Sequence, residues 1–153
     1  MSKLHTKYFG EIERGDESAF HFTLGLPAFE GEKSFVPIEL PGGEPLVFLQ
    51  STATPELCFL AFPIQVVDPE YCLALAAEDL AVLGLDGERQ PRIGKDVLAL
   101  AFLSVRDGFP VTANLMAPLV VNLRTFQAVQ AVRHDSRYSF EHLVQGAGAV
   151  QPC

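Results

Sequence analysis

Leu57-Cys58-Phe59-Leu60-Ala61-Phe62-Pro63-Ile64-Gln65-Val66-Val67 is one of eight apolar runs that recur along this 153-residue chain. The others are Phe20 to Leu24, Phe35 to Leu40, Leu46 to Gln50, Val97 to Val105, Val111 to Leu115, Leu119 to Leu123 and Phe126 to Arg133. Runs this short, bounded by turn residues, read as β-strands of an antiparallel sandwich or small barrel. The breakers are explicit: Gly25-Leu26-Pro27, Pro41-Gly42-Gly43, Asp86-Gly87 and Asp107-Gly108 each supply the backbone angles that tight turns require. The spacing of Leu80 and Leu83 among alanines, with Glu78-Asp79 placed for a first turn, predicts one short helix near residues 77 to 84. Tyr138, Phe140 and Leu143 fit either a terminal strand or a helical turn.

The expected fold is therefore all-β and mainly antiparallel: a compact, barrel-like single domain over residues 1–145 with one short helix, followed by a flexible small-residue tail, 146–153. A chain of this length buries about two thirds of its unfolded surface around one core. With 48% apolar and 20% charged residues it has the composition of a folded globule.

Composition also limits function. Val97 to Val105 falls far short of the roughly 20 residues of a membrane helix, and the N-terminus lacks the apolar core of a secretory signal. A cytoplasmic protein is expected. Eleven Lys and Arg against 19 acidic residues give a net charge of -8, which the phosphate backbone of nucleic acid repels. No direct nucleic-acid binding is expected.

Cys58, Cys72 and Cys153 form no C-x-x-C and have no histidine at finger spacing, so neither a zinc site nor a disulfide framework is indicated. His134-Asp135 and Glu141-His142 match no known metal spacing. Cys58 lies in an apolar strand without a nearby base and reads as a packed thiol. Glu11, Glu13, Asp16 and Glu17 read as the solvated edge of a hairpin. Hydrolase, P-loop, zincin and dinucleotide motifs are absent, so no enzyme, cofactor or metal is expected. The polar residues set in strand-like sequence, Asn114, Pro118 and Asn122, have a plain reading as a hairpin turn with its strand ends.

These residues also carry a resemblance. Thr6-Lys7-Tyr8-Phe9-Gly10-Glu11-Ile12-Glu13 looks like the opening of the FliW family, and Phe22 with Gly25-Leu26-Pro27-Ala28-Phe29-Glu30 resembles its F-x-x-G-L-P-G-F-E segment. Phe48-Leu49-Gln50-Ser51, Phe59 to Phe62, Pro69 and Tyr71 follow in order. Asn114-Leu115-Met116-Ala117-Pro118, Val121-Asn122 and Gln130 resemble the family's N-L-x-A-P-I-V-I-N and downstream Q. Ala28 and Ala128 stand where Gly is more usual, which argues against a left-handed backbone at either. Ser139-Phe140-Glu141 lacks an expected basic residue.

The resemblance implies a non-catalytic β-barrel-like protein, monomeric when free, with two alternative partners. One is flagellin, held in the cytosol before export. The other is CsrA, the RNA-binding repressor of flagellin translation. Partner contacts are expected at polar residues of the matched motifs: Glu11, Glu13, Glu30, Asn114 and Asn122. The competing reading is a small barrel that carries an apolar small molecule, suggested by the 12 Phe and the strand count.

Overall fold

The structure is a computed structural model that describes residues 2–14 and 18–144. A hairpin comes first, β1 (Ser2–Thr6) and β2 (Gly10–Arg14). Then follow β3 (Phe20–Phe22), β4 (Ser34–Ile38), β5 (Val47–Ser51) and β6 (Cys58–Pro63). Two helices, α1 (Ile64–Val67) and α2 (Ala77–Leu83), precede β7 (Val97–Ser104) and β8 (Thr112–Ala113). The chain ends in β9 (Leu119–Asn122), β10 (Gln127–Gln130) and β11 (His142–Leu143).

Seven strands close on themselves in the ring order β3, β4, β5, β6, β7, β9, β10. Every pairing is antiparallel except the parallel closure of β10 on β3, where Gln127 meets His21 and Ala128 meets Phe22. Closure removes the sheet edges that would otherwise invite pairing with other chains. Short β8 and β11 extend the sheet beyond the far end of β7.

The period-two alternation of each strand sorts side chains into an inner and two outer clusters. Phe20, Phe22, Phe35, Val47, Leu49, Ala61, Leu100, Leu119, Val121 and Ala128 come from all seven ring strands and fill the lumen, with Phe59 and Phe102 packed against them. Their neighbours in sequence face outward. On one side, Val97, Ala99, Ala101, Val120 and Val129 are covered by Ile64, Tyr71, Leu73, Leu75, Leu80 and Leu83 of the α1–α2 segment. On the other, Val36, Ile38 and Phe48 lie beneath Leu4, Phe9 and Ile12 of the hairpin.

The expected helix forms at α2, with Glu78 and Asp79 in its first turn and a left-handed Gly84 at its end. The run Leu57 to Val67, expected as one strand, divides. Pro63 ends β6 and Ile64 starts a single helical turn, α1, whose buried Ile64 joins the outer cluster. Phe126, expected within a strand, instead adopts φ 64°, and β10 begins only at Gln127. The undecided segment 136–145 contains the short strand β11, while Tyr138 stacks on Tyr71 at 4.3 Å. Asp16, Glu17, Cys153 and the expected tail 146–153 lie outside the described residues.

Candidate functional site

Thr6 and Gly10 shape the tip of the β1–β2 hairpin. The Thr6 hydroxyl donates to the Gly10 carbonyl at 2.8 Å and accepts from the Phe9 amide at 2.9 Å, and Gly10 supplies the left-handed φ of 67° that ends the turn. This turn sends Phe9 inward, edge-on to Phe48 at 5.1 Å, and leaves Tyr8 61% exposed. The Lys7 amide donates to the Pro55 carbonyl at 2.9 Å, which seats the tip over the β5–β6 turn.

Beside the tip, the outward side chains of β5 and β6 continue past the edge of the hairpin. Tyr8, Phe9, Phe48, Cys58 and Leu60 line an apolar cleft of about 470 Å³. Cys58 is half-buried there, and burial pushes its thiol upward in pKa against a weaker opposing hydrogen bond at Leu49. A thiol held protonated is a packing group and a poor nucleophile. A second apolar recess, about 370 Å³, opens at one end of the barrel between Phe20, Pro37, Val47, Leu98, Leu123 and Phe126. Below that mouth the lumen is filled by Phe22, Phe35, Leu49 and Leu119, so this part of the barrel interior is a packed core in the manner of small barrels.

The polar residues expected to meet partners stand on different segments. Glu11 is exposed on β2, in register with His5, its Oε2 lying 3.4 Å from the imidazole Nε2. Glu13 pairs with Lys3 along the backbone, and its side chain lies outside the described residues. Glu30 is exposed in the β3–β4 loop, where its carboxylate accepts from the Ala28 amide at 3.2 Å. Asn114 is half-buried, and its Oδ1 accepts from the Met116 and Ala117 amides, both at 3.0 Å, capping the turn that follows β8. Asn122 is 4% exposed; its Nδ2 donates to the Leu83 carbonyl at 2.8 Å and its Oδ1 accepts from the Arg124 amide at 2.9 Å. It therefore ties the end of α2 to β9, with little surface left for a partner.

Two polar clusters lie apart from the residues expected to meet partners. Ser51 and Thr54 both donate their hydroxyls to the Glu32 carboxylate, while buried Gln50 donates to the carbonyls of Ser51, Thr54 and Pro55. Together they fix the β5–β6 turn on which the hairpin tip rests. Elsewhere the Arg133 guanidinium, 5% exposed as a residue, forks onto Asp135 at 2.8 and 2.9 Å, donates to the Cys72 carbonyl and lies 4.8 Å over the Tyr138 ring. That fork holds the Asp135 carboxyl at about 2, well below the usual carboxylate range. The R-x-D spacing of Arg133 and Asp135 was the one available signal for this cluster, and it becomes distinctive only once Tyr71 and Tyr138 are seen to enclose it. The Tyr8-Phe9 cleft could not be read from sequence, because it exists only after the hairpin folds onto the barrel wall.

Fold and surface together define a small closed-barrel protein with an applied hairpin, which carries two apolar clefts beside recesses lined by charged residues such as Asp86, Lys95, Asp96 and Arg124, and which gathers no metal-binding group of His, Cys, Asp or Glu among the described residues. Comparison with known proteins gives the family. A family model described as FliW protein matches residues 3–144. Flagellar assembly factor FliW of Bacillus licheniformis is 35% identical over 144 residues, covering 94% of this chain and 96% of the relative, and that of Bacillus subtilis is 33% identical over the same share of each. A crystal structure of the flagellar assembly factor FliW superimposes with a TM-score of 0.81 at 33% identity, covering 94% of this chain and 96% of the other. The chain belongs to the FliW family of flagellar assembly factors.

Proposed function

We propose that the protein acts in the cytosol, without catalysis, as a monomer that binds either of two proteins. It holds flagellin before export and, when released from flagellin, captures the translational repressor CsrA, so that flagellin synthesis resumes. One molecule shared between two exclusive ligands reports the concentration of the first through its occupancy of the second. No helix among the described residues is long and apolar enough to cross a membrane.

The observation that carries this reading is the family match over residues 3–144, which an apolar cleft beside the hairpin and exposed carboxylates on Glu11 and Glu30 suit. The net charge of -8 suits a basic RNA-binding partner, for which complementarity raises the association rate more than the final affinity. In this proposal the exposed Glu11 and Glu30, with Glu13 next to Glu11 along β2, meet the partner. Asn114 and Asn122 keep the supporting turns in shape.

The test is direct binding of the purified protein to CsrA and to flagellin by calorimetry, followed by competition. Each should bind alone, flagellin should displace CsrA, and CsrA affinity should fall as salt shortens the Debye length from about 10 Å at 0.1 M to 3 Å at 1 M. A flagellin leader RNA mixed with this protein alone should run free in a gel shift. Absence of binding to both proteins refutes the proposal; salt-independent CsrA affinity refutes its electrostatic part.

A further inference from the structure

The β1–β2 hairpin is attached to the barrel differently from every other strand. β1 and β2 pair with neither the closed ring of seven strands nor its β8–β11 extension and form a two-stranded sheet of their own. Among the described residues, one backbone hydrogen bond, from the Lys7 amide to the Pro55 carbonyl, links them to the barrel. Among the described residues, apolar contact adds Leu4, Phe9 and Ile12 against the small outer cluster of Ala19, Val36, Ile38 and Phe48. The opposite outer face is covered by six fully or nearly buried side chains of the α1–α2 segment. An isolated two-stranded hairpin is at best marginally stable in water, and units with few buried contacts open at a small fraction of the global unfolding free energy.

We propose that the hairpin is a flap that opens as one unit while the barrel stays folded. Phe9 is its latch, seated edge-on to Phe48 at the margin of the Tyr8, Phe9, Phe48, Cys58 and Leu60 cleft. Opening uncovers Val36, Ile38 and Phe48 and joins them to the outward strip of Cys58 and Leu60. The cleft beside the closed hairpin is then the near end of a longer apolar face on β4, β5 and β6.

Hydrogen exchange on the full chain tests it. Amides of β1 and β2 should exchange together, at least 100-fold faster than those of β7 and β9 and with a much weaker dependence on urea. Phe9→Ala should speed the hairpin amides at least a further tenfold and leave the barrel amides unchanged, whereas Tyr8→Ala, at an exposed ring, should change neither. Three results overturn the flap: hairpin amides that exchange at the barrel's rate, a gradient of fraying from Ser2 that never reaches β2, or a Phe9→Ala effect of equal size on hairpin and barrel. If Phe9→Ala does not fold, the wild-type exchange pattern alone decides between these outcomes.

Discussion

Replacing Ala28 by glycine is expected to stabilise the protein, and replacing Ala128 by glycine to destabilise it, although both alanines stand where the family resemblance makes glycine the more usual residue. Ala28 holds φ at 70°, against the expectation from its side chain. An L-residue in the left-handed region carries a penalty of roughly 1–2 kcal/mol from the approach of Cβ to the following carbonyl. Glycine removes that penalty but gives the unfolded chain more freedom, an opposing effect of about 0.4–1 kcal/mol. The difference is a net gain of roughly 0.5–1 kcal/mol, or a rise in melting temperature of about 1–4 °C for a chain of this size. The conformation is imposed by its surroundings: Glu30 accepts from the Ala28 amide, Leu26 and Phe29 bridge across the loop, and a Cβ on Gly25 would come within 2.4 Å of the Glu30 carbonyl oxygen. Ala128 has no such strain. It is 1% exposed in β10 and packs in the lumen, so Ala128→Gly loses a buried methyl, about 0.8 kcal/mol, and adds the roughly 0.5–1 kcal/mol cost of glycine inside a strand. Urea and thermal denaturation followed by far-UV circular dichroism measure both. A destabilised Ala28→Gly with an unchanged urea slope refutes the assignment of strain to Ala28; a neutral Ala128→Gly refutes the packing of the lumen at that strand.

Asn122→Ala should cost about 1–3 kcal/mol, because it orphans the Leu83 carbonyl and the Arg124 amide at a buried site; a melting temperature equal to wild type would assign Asn122 to the surface after all. Asp135 has a folded-state pKa of about 2 against an ordinary 3.8, held down chiefly by its hydrogen bonds from Arg133. A depressed carboxylate stabilises above its unfolded pKa, so its contribution should be full above about pH 4 and vanish as pH falls through about 2. Asp135→Asn should therefore flatten the urea midpoint measured between pH 5 and pH 2, and an unchanged acid limb would refute the pairing. Glu11→Lys and Glu30→Lys, at exposed carboxylates, should leave the melting temperature nearly unchanged while weakening CsrA or flagellin binding at least tenfold, about 1.4 kcal/mol; normal folding with normal binding places the interface elsewhere.

The strands were legible because short apolar runs are bounded by turns written in Gly and Pro, so β4, β5, β7 and β9 fall within a residue or two of the expected runs. What such runs cannot state is which strand meets which. The parallel closure of β10 on β3 joins segments about a hundred residues apart, and nothing local in Gln127-Ala128 announces it. Helix α1 was hidden for another reason. Ile64-Gln65-Val66-Val67 is β-branched sequence that prefers a strand, and it turns helical because Pro63 ends the ladder and Ile64 is drawn into the outer cluster with Tyr71 and Leu73.

The matched motifs themselves turn out to be mostly scaffold. Gly25 admits the close pass of Glu30, and Phe29 packs edge-on to Phe59 at 5.4 Å. Gln50 and Ser51 bind the β5–β6 turn, Asn114 caps the turn before Pro118, Gln130 donates to the Ala117 carbonyl at 3.1 Å, and Asn122 anchors α2. A residue spent on such contacts recurs wherever the fold recurs, so its presence identifies the barrel and says little about what the barrel holds. Tyr8, Glu11 and Glu30 are different, because the first two project from a hairpin that the barrel does not need for closure and the third from a loop, and each is exposed. Substitutions at Asn114 and Asn122 therefore report on folding first, and only substitutions at exposed positions such as Tyr8, Glu11 and Glu30 separate binding from stability.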